Sequence, residues 1–301
     1  MSFRILHFSD VHLPFPPNAL RDPAIFHPKR LISLLNLRVH RAEKYAAAQQ
    51  KLDGLCDFLR REPVDWILYS GDTMNQGLEK EYMDDISPLS RTLSMARAGA
   101  LAVPGNHDYY TRAALRHYRR FFAPRLPTGD RPDLRTPSGF PLVLFMGPDA
   151  VAIGLNSAVP HFPFWDSSGS LNPRELEVLS LLLADSDICQ RKWIFLMTHY
   201  PFLDTDFLHG LRGTAPFWKL LETAGVTNRV VLLHGHNHRI YAKRTPSGIP
   251  VYCAGSLSKR DAESFWLFEP FGGALNARRG IWRNARFTLD PASPVSLERT
   301  P

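Results

Sequence analysis

Residues 4–12, Arg4-Ile5-Leu6-His7-Phe8-Ser9-Asp10-Val11-His12, set out a pattern that the rest of the chain repeats. A short apolar run bounded by a polar loop reads as a buried strand over Arg4–Ser9, and the loop carries two cation-binding side chains, Asp10 and His12. The arrangement recurs at Trp66–Ser70, followed by Gly71-Asp72, and at Leu101–Val103, followed by Gly105-Asn106-His107-Asp108. It returns at Trp193–Met197 with His199, and at Val230–Leu233 with Gly235-His236-Asn237-His238. Helical signals lie between the early strands. Tyr45, Ala48, Leu52, Leu55, Cys56 and Leu59 place one apolar stripe toward a core, and a second helix is expected across residues 78–98. Strand alternating with helix favours parallel pairing inside a layered α/β fold.

Beyond residue 123 the texture changes. Residues 123–141, rich in Pro, Gly and Arg, read as a surface loop, and Leu142–Phe145 with Val151–Leu155 as a strand pair. Asn172-Pro173-Arg174-Glu175 is a helix start: a capping Asn, Pro in the first turn and Glu three residues after the cap. Leu176, Leu179 and Leu183 continue its buried stripe, and Val251–Ala254 is a further strand. Ser264–Phe268 and Ile281–Leu289 are expected to complete a sheet edge, with a frayed tail after Asp290. With no internal repeat or linker, the expected division is one domain over 1–290 and a tail over 291–301.

Composition limits the alternatives. Of 301 residues, 44% are hydrophobic, enough for a sizeable core, and 22% are charged, an ordinary globular share that argues against disorder. The net charge of +7 favours anionic partners without choosing among phosphorylated metabolites, nucleic acid and acidic lipid headgroups. Cys56, Cys189 and Cys253 are odd in number and contain no CxxC pair, so three buried thiols in a reducing compartment are expected. No apolar run has the length to cross a bilayer, and the N-terminus lacks the zones of a secretory signal. A cytoplasmic location follows as the expectation.

The strand-end clusters together form a ligand inventory. In open α/β sheets ligands gather at the loops leaving the carboxyl ends of strands. Carboxylate, carboxamide and imidazole without thiolate suit Mn²⁺, Fe or Zn²⁺ better than a structural zinc site. In Asp10-x-His12 and His236-x-His238, a two-residue period in extended backbone would point both side chains the same way. Asp72 has two carboxylate oxygens and can bridge two cations. A pair of ions about 3.5–4 Å apart grips a phosphoryl group and activates water.

The ordered set resembles the calcineurin-like metallophosphoesterase superfamily, whose motifs DxH, GDxx(D/N), GNH(D/E), a strand-terminal His and GHxH are matched in sequence. Here they read Asp10-Val11-His12, Gly71-Asp72-Thr73-Met74-Asn75, Gly105-Asn106-His107-Asp108, Thr198-His199 and Gly235-His236-Asn237-His238. The resemblance implies a four-layer α/β/β/α sandwich with mixed sheets. It also implies two divalent metal ions, Mn²⁺ first with Fe or Zn²⁺ as alternatives. Asp10, His12, Asp72 and His238 would bind one ion, and Asp72, Asn106, His199 and His236 the other. His107 would face the leaving-group oxygen as proton donor while a metal-activated hydroxide attacks phosphorus. Protein phosphatases of the superfamily place an Asp where Asn75 stands, to orient the catalytic His. A carboxamide cannot stabilise imidazolium as a carboxylate does, which speaks against protein-phosphatase activity.

Residues 13–45 form a basic amphipathic insertion and a candidate substrate cap. Leu31, Leu34 and Leu35 have helical spacing amid Lys29, Arg30, Arg38, Arg41 and Lys44. Such a stretch suits an anionic membrane surface or an acylated, phosphorylated ligand, against the plainer reading of a helix packed on the sheet. With Glu79–Tyr82, it resembles the bacterial branch associated with UDP-2,3-diacylglucosamine pyrophosphate cleavage in lipid A synthesis. The expected function is hydrolysis of a phosphodiester or pyrophosphate bond, with that lipid-linked nucleotide as first substrate and peripheral contact with the inner membrane. The alternatives are a cyclic nucleotide or other small phosphodiester, and a non-catalytic binding module on the same fold. Arg112, Arg116, Arg119 and Arg120, and Arg278, Arg279, Arg283 and Arg286, read chiefly as solvated faces. Without interleaved aromatics they do not favour nucleic acid.

Overall fold

The computed structural model describes residues 3–14, 22–28, 30–31, 45, 47–84, 86–160, 166–203, 206, 208–271, 274–292 and 295–297. The first half runs β1 (Ile5–Phe8), α1 (Ala48–Arg61), β2 (Trp66–Tyr69), α2 (Glu79–Asp84), α3 (Ile86–Leu93), β3 (Gly99–Ala102), α4 (Arg112–His117), β4 (Leu142–Met146) and β5 (Ala150–Gly154). The second runs β6 (Gly169–Ser170), α5 (Pro173–Ala184), α6 (Ser186–Cys189), β7 (Trp193–Met197), β8 (Leu211–Arg212), α7 (Ala215–Thr223), β9 (Val230–His234), β10 (Ile240–Arg244) and β11 (Pro250–Ala254). It ends with β12 (Ser264–Phe271), β13 (Ala274–Arg283), β14 (Arg286–Leu289) and β15 (Val295–Leu297).

Two mixed sheets result. One has the order β14-β13-β12-β1-β2-β3, with β15 also on β13, and the other the order β10-β11-β9-β7-β5-β4. β1, β2 and β3 are parallel, as are β5, β7, β9 and β11; the remaining pairings in these two sheets are antiparallel, and β6 and β8 form a separate parallel pair.

Alternation along the strands builds the layers, because successive side chains leave opposite faces of a sheet. Leu6, Phe8, Ile67 and Tyr69 join Leu52, Leu55, Phe58 and Leu59 of α1 in one core. Their neighbours Ile5, Trp66 and Leu68 meet Trp193, Phe195 and Met197 between the sheets. Ile194 and Leu196 face outward again, against Leu176, Leu179 and Leu183 of α5 and Phe217 of α7. Three apolar interiors separated by two sheets make the expected α/β/β/α sandwich. Strands buried on both faces are mostly apolar, which is why β2 and β7 lack polar alternation and β1 carries a single polar residue, the buried His7.

Several expectations change. β12 is no edge: it pairs with β1 on one side and β13 on the other. Ile281–Leu289 is a hairpin, with Asn284 and Ala285 at positive φ turning β13 into β14. The tail expected to fray instead contributes β15, paired with Leu275–Ala277. The helix expected over 78–98 is two, and Pro88 sits in the first turn of α3, where its missing N–H has no intrahelical partner to lose. Cys56 and Cys253 are buried as expected, Cys189 is half-buried, and all three are free thiols. No helix among the described residues is long and apolar enough to cross a membrane.

Most of the basic insertion lies outside the described residues, including Lys29, Leu34, Leu35, Arg38, Arg41 and Lys44. Arg30 is described, and it is not at the surface. Its guanidinium is buried and donates to the carbonyls of Ala24, Gln76 and Gly77 and to Thr111 Oγ1, at 3.0–3.2 Å. It ties the insertion to the loop after β2, so Arg30 is a brace rather than part of a charged rim.

Candidate metal centre

The motif loops depart from regular backbone where the ligand residues sit. Asp10, His12, Asp72, His236 and His238 all have positive φ, between 46° and 67°. For non-glycine residues this region is sparsely populated and costs about 1–3 kcal/mol each, so surrounding contacts must enforce it. The extended two-residue period expected for Asp10-x-His12 and His236-x-His238 is therefore absent; left-handed turns aim these side chains instead.

Those enforcing contacts run between loops. Asp10, His12 and Leu13 donate their N–H groups to the carbonyls of Gly71, Asp72 and Thr73 at 2.9, 3.1 and 2.8 Å. The Asp108 carboxylate accepts from the N–H groups of Asp72, Thr73, Met74 and Gly105 at 2.9–3.1 Å. Asp72 Oδ1 accepts the His107 N–H at 2.8 Å, and Asp10 Oδ2 the His236 N–H at 3.0 Å. The motif glycines permit this proximity: a Cβ on Gly105 would overlap the Asp72 carboxylate, and one on Gly235 the side chains of Ser9 and Asp10. Glu81 of α2 adds a clamp, accepting from the N–H groups of Asn75, Gln76 and Leu78.

Two donor clusters meet at Asp72. In the first, ligand atoms of Asp10, His12, Asp72 and His238 all lie within 4.8 Å of one another. His238 Nε2 is 2.9 Å from Asp10 Oδ1 and 3.3 Å from His12 Nε2, which is 3.8 Å from Asp72 Oδ2. In the second, His199 Nε2 lies 3.4 Å from Asp72 Oδ2 and 3.0 Å from Asn106 Oδ1. His236 Nδ1 is 3.1 Å from Asn106 Oδ1 and 3.3 Å from His199 Nε2.

The outer ring nitrogens assign the protons. His12 Nδ1 faces the Met74 carbonyl at 3.3 Å and His199 Nδ1 the Ser70 carbonyl at 2.7 Å. Carbonyls only accept, so each Nδ1 carries a proton, and in the neutral ring each Nε2 turns a lone pair into the cluster. Facing lone pairs at 3.3 Å repel unless something positive lies among them, and the donor set fits a divalent cation on that ground.

Charge balance agrees. Burial would raise the Asp10 pKa, but adjacent His238 outweighs it and holds the group at about 2. Burial likewise opposes ionisation of Asp72, and His199 and His107 hold it well below the usual carboxylate range. Burial lowers the His199 pKa, yet Asp72 lifts it to about 9. His236 is pushed down to about 3 by burial and by His199. Without cations, the added proton on His199 sits on Nε2, facing Asp72, and offsets part of the buried negative charge; a divalent cation would take its place.

The family model for calcineurin-like phosphoesterases matches residues 3–240. The chain belongs to that family. This calcineurin-like phosphoesterase is accordingly a metal-dependent phosphoester hydrolase, with a candidate Asp/His centre for two divalent metals. A search of curated protein sequences gives no significant match. Among solved structures, a dimetal phosphatase from Danio rerio aligns with a TM-score of 0.67 at 12% identity, over 99% of both chains. The purple acid phosphatase PPD1 from yellow lupin seeds aligns with 0.60 at 11%, over 93% of this chain and 51% of its own. PhoD aligns with 0.57 at 10%, over 100% and 72%. At these identities the likeness is one of fold.

The remaining singled-out residues fall as follows. Asn75 does contact His107, but through its backbone: His107 Nδ1 donates to the Asn75 carbonyl at 2.7 Å, while the Asn75 carboxamide donates to the Leu13 carbonyl. Arg112, Arg116, Arg119 and Arg120 are exposed. Arg278 pairs with Glu269 at 2.7 Å, and Arg279 with Asp290. Three contributors escaped the sequence reading. Asp108 closed the Gly-Asn-His-Asp motif with no role assigned to it. Ser157, whose Oγ accepts the His199 N–H at 3.1 Å, carried no motif. Tyr45, which belongs by spacing to a buried helical stripe, has its phenol 2.8 Å from His238 Nδ1.

Proposed function

We propose that this phosphoesterase hydrolyses a phosphodiester or pyrophosphate bond of a small phosphorylated substrate, using two divalent cations with Mn²⁺ foremost. Asp10, His12, Asp72 and His238 hold one, and Asp72, Asn106, His199 and His236 the other. The observation that carries the reading is the pair of oxygen-and-nitrogen clusters sharing Asp72. When bound, such a cation pair supplies Lewis-acid polarisation of the phosphoryl group and a more acidic water.

The chain's own part is positioning and proton handling. Hydrogen bonds between loops hold the donors at set distances, so little rearrangement accompanies the reaction. His107 is nearly buried, stacks on Tyr110 with ring centroids 5.2 Å apart, and commits Nδ1 to the Asn75 carbonyl. Nε2 is then the atom that delivers a proton to the leaving-group oxygen. The Asn75 carbonyl dipole steadies the protonated ring, supplying part of what a carboxylate does elsewhere.

For substrate, a UDP-2,3-diacylglucosamine-type lipid precursor is tested first and a cyclic nucleotide second, with bis-p-nitrophenyl phosphate as generic diester. Purified protein is expected to carry two ions per chain and to turn over at least one substrate with Mn²⁺. Asp72→Ala, which removes the shared oxygen donors, is expected to abolish turnover and metal retention. If every substrate stays intact with Mn²⁺ supplied and Asp72→Ala changes no metal content, the reading is wrong.

A further inference from the structure

The second nitrogens of the cluster histidines are not all held alike. His12 and His199 give Nδ1 to backbone carbonyls, whereas His238 meets a side chain, the Tyr45 phenol at 2.8 Å. Tyr45 comes from a distant part of the chain, is 6% exposed, and sets its ring edge-on to His12, with centroids 4.7 Å apart. One aromatic residue thus touches two members of the first cluster.

We infer that Tyr45 is a positioning residue for one of the two cations, acting through His238. For His238 Nε2 to offer a lone pair beside Asp10, the proton must sit on Nδ1, and that N–H donates to the Tyr45 oxygen. The phenol oxygen can accept from the tautomer that ligation requires, fixes the ring plane and, as acceptor, makes Nε2 a better donor. His238 is the more exposed of the two first-cluster imidazoles, at 14% against 1% for His12, so its ring has the greater freedom to lose. The ring of Tyr45 walls His12 while the hydroxyl aims His238, two separable roles.

This inference rests on reading Asp10, His12, Asp72 and His238 as a metal-holding set. Tyr45→Phe keeps the ring and removes only the oxygen. Metal-free wild type and variant are titrated with Mn²⁺ by calorimetry and chelator competition, and their metal-free melting temperatures are compared. Expected are equal melting temperatures and one Mn²⁺ binding event weakened 10–100-fold with the other unchanged, a loss typical of removing a hydrogen-bond partner behind a ligand. In bis-p-nitrophenyl phosphate turnover, the Mn²⁺ concentration for half-activation rises by the same factor, while KM at saturating Mn²⁺ stays put. Tyr45→Ala, which also unwalls His12, is expected to weaken that event further. Two events in wild type that Tyr45→Phe leaves unchanged, or weakens equally, would overturn the inference alone. Wild type taking up no Mn²⁺ would overturn it together with the proposed function.

Discussion

Glu175 offers a test of this architecture that needs no metal. It lies in the first turn of α5, buried at 2% exposure. Its Oε1 accepts the Asn156 N–H at 2.6 Å, while its buried Oε2 has no hydrogen-bond partner among the described residues. A Glu three residues after a helix cap can reach back to the cap residue's N–H; Glu175 reaches instead across to the loop that carries Ser157 under His199. Burial, only partly offset by that N–H, raises its pKa from 4.5 to about 8. The folded protein thus keeps a proton that the unfolded chain has released. The stability it contributes is complete below pH 4.5 and is lost as pH rises through about 8. A gap of that size corresponds to an upper value of about 5 kcal/mol, which water entry and relaxation reduce. Glu175→Gln mimics the protonated form at every pH. Its added N–H group, placed at the unpartnered oxygen, carries a burial cost that does not vary with pH. The quantity to read is therefore the slope. In urea unfolding from pH 5 to pH 9, the stability of Glu175→Gln relative to wild type is expected to rise by at least about 2 kcal/mol. At roughly 2–4 °C per kcal/mol, the melting temperatures should diverge by several degrees. A difference that stays flat across this range would refute the argument that Glu175 is buried as an acid.

Two further outcomes concern the centre itself. His107→Gln is expected to slow hydrolysis of diesters with alkoxide leaving groups by about 10²–10⁴-fold, the usual worth of a positioned acid. p-Nitrophenyl diesters, whose leaving group departs without a proton, should lose far less, and equal losses would remove His107 from the proton-donor role. Gly105→Ala should force the loop after β3 away from the Asp72 carboxylate and the loop after β2 that carries it, since the new methyl occupies the space between them. A stability loss of about 1–3 kcal/mol is expected, the usual effect of overpacking, together with weaker retention of both ions in metal analysis. Wild-type stability and metal content in that variant would show that the two loops have room to spare.

The strands carrying the site were legible because their signal is local. Apolar runs at Arg4–Ser9, Trp66–Ser70, Trp193–Met197 and Val230–Leu233 are buried on both faces, and such burial leaves its mark in the run itself. Ser264–Phe268 was as plainly a strand, yet its central position was not legible. An edge and a centre differ in what lies beside them, and β12 acquires β1 from the far end of the chain. The tail failed similarly: its Pro and Ser content speaks of local freedom, while β15 is held by its partner β13.

What the amino-acid order determined alone was the inventory: which side chains can bind a cation, their delivery by successive strand-end loops, and the layered fold that a strand–helix alternation favours. Those follow from side-chain chemistry and short-range periodicity. Only the tertiary structure decided how the donors are aimed. The left-handed backbone at Asp10, His12, Asp72, His236 and His238, the four N–H groups gathered by Asp108, and the phenol behind His238 all depend on loops distant in sequence meeting. The same holds for Arg30, a surface cation by composition, whose burial is set by the carbonyls around it. A backbone carbonyl or amide has the same chemistry in every residue that carries it, so no residue letter announces which one will turn inward to hold a ligand in place.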